Sequence, residues 1–131
     1  MTAARPVVCG ARIHLTPSPI AAVMTLRSDI ERVLWDATAQ PRCVLASHPP
    51  TAAHWGIARL LPHDGADIWA VWNGTRQPHA IHQWPTCTAR DRRTGERCDC
   101  PRAHRGQHGY AMTDYYRGLK SWRPLAGTGP A

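Results

Sequence analysis

The chain has 131 residues, 43% of them hydrophobic, and a mean hydropathy of −0.42. That is enough for one small domain with a modest core, or a small domain plus a metal-stabilised appendage, and no apolar run is long enough to span a bilayer as a helix. The formal charge is +7 and the pI about 9.8, which favours polyanionic partners, nucleic acid first.

Nearly all the positive charge is arginine, with Lys120 the only lysine. Arginine suits bidentate phosphate contacts, although a GC-rich genome also favours Arg over Lys, and a basic balance also serves solubility. The most apolar run, residues 20–26, is short, is followed by Arg27 and carries no basic leader. The expectation is a soluble, cytoplasmic protein with no membrane partner. Five cysteines, an odd number without a secretory signal, argue against a disulfide framework and for metal binding.

In chain order, residues 1–16 have the β-branched content of a strand, with Cys9 as a small buried hydrophobe unless the fold carries it to the metal of the cysteines and histidines at 87–108. Thr16-Pro17-Ser18-Pro19 predicts a helix start, with Ser18 as N-cap and Pro19 at the first helical position. Ser28-Asp29-Ile30-Glu31 has the form of a capping box, and Ile30, Val33, Leu34 and Ala37 follow at helical spacing. A short helix breaking near residues 27–28 and a second over 29–39 are expected, ended by Gln40-Pro41.

Residues 42–47 read as a short strand. Residues 54–61 alternate, with Trp55, Ile57 and Leu61 on one face, and residues 62–65 form the turn. Residues 67–72 are apolar on both faces, which places them inside a sheet. Asn73-Gly74 predicts a tight turn, and residues 75–84 another strand. Six tryptophans and no phenylalanine are read mainly as core filling, with base stacking as the alternative.

Residues 87–108 concentrate Cys87, Cys98, Cys100, His104 and His108 in a segment too polar to build its own core. A Zn²⁺ held by two thiolates and two imidazoles would supply what that core lacks, and the ligand set read here is Cys87, Cys98, His104 and His108. Three residues separate the histidines, which would put both imidazoles on one side of a helical turn. The Thr94-Gly95 turn signal suits a hairpin that brings Cys87 to Cys98. Cys100 is an alternative ligand, and Cys98-x-Cys100 as a redox pair the alternative chemistry. Four protein ligands leave no open position, so the metal is expected to be structural.

Residues 98–108, CDCPRAHRGQH, resemble the C-x-x-P-x-G-H-x-G-x-H segment with an upstream Cys found in many small actinobacterial and actinophage proteins. Cys87 stands as that upstream Cys, and Ala103 where the pattern has Gly. The resemblance implies zinc at Cys87, Cys98, His104 and His108, and it carries no known reaction. Around these residues lie Arg90, Arg92, Arg93, Arg97, Arg102 and Arg105, offset only by Asp91, Glu96 and Asp99. Thr113 is placed as the cap of a last helix carrying Tyr115, Leu119 and Trp122 on one face.

The expected fold is α+β: a small antiparallel sheet with one or two N-terminal helices (1–84), a zinc-binding module with a short C-terminal helix (85–123) and a flexible tail (124–131). The expected function is non-enzymatic nucleic-acid binding, DNA or RNA, through the six arginines. The alternative is a phage or mobile-element factor acting on a host protein complex. A metal-dependent nuclease built on His79-x-x-His82 or His63-Asp64 ranks last, since there are no paired carboxylates, no P-loop and no H-E-x-x-H. No small-molecule substrate is evident.

Overall fold

The computed structural model describes residues 5–25, 40–61 and 65–115. It is a small α+β fold: helix α1 (Pro17–Thr25) and a three-stranded antiparallel sheet of β1 (His54–Arg59), β2 (Ala66–Trp72) and β3 (Ala80–Pro85), in that order across the sheet. As its apolar run requires, β2 is central, and its residues 68–72 are all buried. The expected helix over 29–39, the 62–64 turn and the last helix beyond Tyr115 lie outside the described residues, and Thr113 itself bridges to Val7.

The sheet separates two apolar layers. Ile68, Ala70 and Trp72 of β2 face Ile13, Leu15, Val23, Cys43 and Leu61. Trp69 faces Val8, Val44, Cys98, Cys100 and Met112 on the other side. This second layer joins residues from both sides of position 85. Trp69 and Trp72 are fully buried, as expected of core tryptophans, whereas Trp84 is 40% exposed.

The alternation expected over 54–61 does not hold to its end. Trp55 and Ile57 pack on the Trp69 side, but Leu61 belongs to the Trp72 side. The register shifts between Ile57 and Arg59, and such a bulge swaps the face of every later residue. The expected tight turn at Asn73-Gly74 is a longer connection. Gly74 does take a positive φ of 53°, but β3 begins only at Ala80.

Helix α1 starts at Pro17, earlier than Ser18 and Pro19 suggested. Both prolines fit a first turn whose N–H groups lack intrahelical partners. Thr16 precedes the helix: its N–H and Oγ1–H both donate to Gln77 Oε1, at 2.9 and 3.3 Å, so Ser18 is not needed as the cap. A nine-residue helix is marginal alone, and α1 is held by seating Val23 in the core with Ile20 against it.

Residues 7–13 and 41–47 form an irregular ribbon beside β1. Cys9 N–H donates to Leu45 O (2.8 Å), Gly10 N–H to Cys43 O (3.0 Å) and Cys43 N–H to Ala11 O (2.8 Å). Val44 N–H donates to Trp55 O (3.1 Å), which joins the ribbon to β1. The approach requires glycine at position 56, because a Cβ there would lie 2.7 Å from the Arg42 carbonyl oxygen. The ribbon has isolated bridges and no continuous ladder.

Candidate metal centre

After β3 the chain folds into a hairpin, with bridges at Thr86–Pro101 and Arg90–Arg97. Cys87 N–H donates to Cys100 O and Cys98 N–H to Ala89 O, each at 2.9 Å. Gly95, with φ 75°, turns the tip, and its N–H donates to Asp91 O at 2.8 Å. This is the reversal that the Thr94-Gly95 signal anticipated, and it brings Cys87 beside Cys98.

The helical turn expected for the two histidines does not form. Residues 102–107 are turns and bends, and a single 3₁₀ turn follows at Gly109–Ala111. The loop closes through left-handed backbone at Ala103 (φ 65°) and Gly106 (φ 81°). Ala103 is the one non-glycine residue with positive φ among the described residues. An L-residue held there costs about 1–2 kcal/mol. Gly106 is also pressed against the ribbon, since a Cβ on it would sit 3.3 Å from Ala46 Cβ.

The loop places His104 Nε2 3.5 Å from Cys98 Sγ, and His108 Nδ1 3.5 Å from Cys87 Sγ. The imidazole centroids are 5.2 Å apart, and the four donor atoms lie within 4.8 Å of one another. Tetrahedral zinc has Zn–S near 2.3 Å and Zn–N near 2.05 Å, which makes each sulfur–nitrogen edge about 3.6 Å. The two sulfur–nitrogen distances of 3.5 Å match that edge, and the remaining donor separations stay within 4.8 Å. Gly109 N–H donates to Cys98 Sγ at 3.3 Å, a contact that favours the thiolate. Burial acts against it and raises the Cys98 thiol, the Gly109 N–H pulling the other way, so an ion's charge is what would hold the Cys98 sulfur deprotonated.

Cys100 is not in this four-donor group. It is fully buried, burial pushes its thiol up, and its Sγ–H donates to Val44 O at 3.4 Å. It does group with Cys98 and Asp99, but that set holds no imidazole.

A second group of the same composition was missed by reading the sequence: Cys9, Cys43, His48 and His54, whose donor atoms also lie within 4.8 Å of one another. Cys9 is half-buried and belongs to this group, not to the hairpin. One signal could have found part of it. His48 and His54 have five residues between them, inside the range of zinc-binding histidine pairs, and Cys43 lies just upstream.

The six arginines at 90, 92, 93, 97, 102 and 105 are all exposed on the hairpin and its loop. Arg102 and Arg105 line a groove of about 570 Å³ together with Trp55 and Trp84, and His48 and His104 reach it from the two Cys/His groups. Trp84 Nε1–H donates to Arg102 O and Trp69 Nε1–H to Trp84 O, both at 3.0 Å, which ties the groove wall to the central strand. Trp55 stacks on exposed His82 (6.3 Å, 30°) and meets Trp84 edge-on (6.2 Å, 62°). His82 thus belongs to an aromatic row. Among the described residues neither it nor His79 joins a cluster of metal-ligating groups, and His63 and Asp64 lie outside them.

Among the described residues, no helix is long and apolar enough to cross a membrane. Comparison with protein-family models, curated proteins and solved structures finds no match.

Proposed function

We propose that the protein is a non-enzymatic zinc-binding module that grips nucleic acid through the arginines of the 87–108 hairpin. The observation that carries this reading is the meeting of three features: a Cys₂His₂ donor set within 4.8 Å, exposed arginines along the same 87–108 segment with Arg102 and Arg105 at the groove, and an aromatic row beside that groove. The metal would fix the loop, so that the guanidinium groups meet phosphates without paying the full ordering entropy at each encounter. Arg90, Arg92, Arg93 and Arg97 follow the hairpin arm, while Arg102 and Arg105 flank the groove. The half-exposed Trp84 ring, held by its indole hydrogen bond, offers a base a stacking face.

A second reading rests on the groove's lining, where Leu45, Ala52, Ala53 and Pro101 would suit an apolar side chain of a protein partner, including a host complex. Binding of a fluorescent single-stranded oligonucleotide across a salt series separates the two. Nucleic-acid binding predicts an affinity that falls steeply and linearly on a log–log plot, by roughly 0.7 per phosphate neutralised. No binding at low salt removes the first reading and leaves the second.

A further inference from the structure

We propose that Cys9, Cys43, His48 and His54 form a second structural zinc site, so that the folded chain carries two Zn²⁺ ions, one on each side of the sheet. Cys9 Sγ lies 3.4 Å from His54 Nδ1, and Cys43 Sγ lies 3.6 Å from His48 Nε2. Both distances match the edge of about 3.6 Å expected between sulfur and nitrogen on tetrahedral zinc. The two imidazole centroids are 4.8 Å apart.

The surroundings are those of a ligand set. His48 Nδ1 lies 3.0 Å from the Pro49 carbonyl oxygen, so that nitrogen carries the proton and Nε2, facing Cys43, keeps its lone pair. The His54 ring lies against Trp72, centroids 5.3 Å apart, and Trp72 is fully buried, which keeps water from that side. Two independent thiol–imidazole hydrogen bonds would satisfy each pair separately, but they give no reason for both pairs to converge within 4.8 Å. Four protein donors leave no position for substrate, so the ion is structural. Binding turns two thiols into thiolates and releases their protons.

Topology says what such an ion would do. Cys9 comes from the N-terminal segment, Cys43 from the neighbouring segment of the ribbon, and His54 opens β1. These are the segments joined by isolated bridges only. Cys43 belongs to the layer beneath α1, whereas its neighbour Val44 belongs to the opposite layer and accepts from Cys100. One extended segment therefore separates the two Cys₂His₂ groups, which share no ligand.

The test is native mass spectrometry of the full chain, purified with zinc under reducing conditions. Wild type is expected to carry two Zn²⁺. Cys43→Ser and His48→Ala should each carry one, and Cys87→Ser should also carry one. His48 is only half-buried, so its variant keeps the test open if Cys43→Ser fails to fold. A zinc count unchanged from wild type in both Cys43→Ser and His48→Ala, or a Cys9–Cys43 disulfide seen as a two-dalton loss, would each overturn the second site. The Cys87→Ser count tests the hairpin site separately.

Discussion

The two Cys₂His₂ groups offer the same donors at nearly the same spacing, yet they are built in opposite ways. The hairpin group draws its four residues from 22 consecutive positions, and the loop that joins them is polar, arginine-rich and exposed. The ribbon group gathers Cys9 across 33 intervening residues and sits beside the buried Trp72. The first can organise a local surface for a partner, whereas the second joins segments that pack on the core. A metal-binding motif and a metal-binding position are different things, and only the motif is visible in one stretch of sequence.

The sharpest way to break this comparison is to deny the chain any metal. Structural zinc contributes on the order of 10 kcal/mol, comparable with the whole stability of a domain this size. A strong chelator should therefore abolish the near-ultraviolet circular dichroism of the buried tryptophans and not merely loosen the hairpin. A preserved spectrum would mean that the ribbon and sheet stand without an ion.

Single ligands come next. Cys98→Ser should lose the hairpin zinc, while Cys100→Ala should keep it and cost about 1–2 kcal/mol in a denaturant titration, through lost packing and the lost thiol hydrogen bond to Val44 O. Zinc lost from the Cys100 variant would move the ligand role to that thiol. On the exposed side, Trp84→Ala should weaken oligonucleotide binding by about 1–3 kcal/mol if a base stacks there. Arg92→Ala and Arg93→Ala should each lower the salt slope by roughly 0.7–0.9, with little change in melting temperature.

The smallest effect is also the most local. Ala103→Gly relieves a left-handed alanine and should stabilise the zinc-loaded protein by about 1 kcal/mol, read as a rise in melting temperature. A fall would mean that the backbone at 103 is not left-handed in solution.

How far each feature could be read from the sequence follows from the range of its cause. The central strand was legible because burial on both faces leaves an uninterrupted apolar run, and the hairpin because Thr94-Gly95 lies between its cysteines. Leu61 was assigned to the wrong face because a bulge leaves no mark in an alternating pattern. The helix start shifted because its acceptor is Gln77, on a distant connection. The histidine turn was read as helix from spacing alone, although Gly106 beside a strained Ala103 favours a tighter loop. Cys9 looked like a core residue because only the pairing of residues 7–13 with 41–47 brings it to Cys43, and that pairing has no local signature.

The most direct test of the account joins metal to function: oligonucleotide affinity measured over a salt series for wild type and Cys87→Ser side by side, both zinc-supplemented. The account predicts steep salt dependence for wild type and at least tenfold weaker binding for the variant, whose buried tryptophans keep their near-ultraviolet signal through the ribbon site. Equal affinities would contradict it, because the arginines would then need no metal to present them.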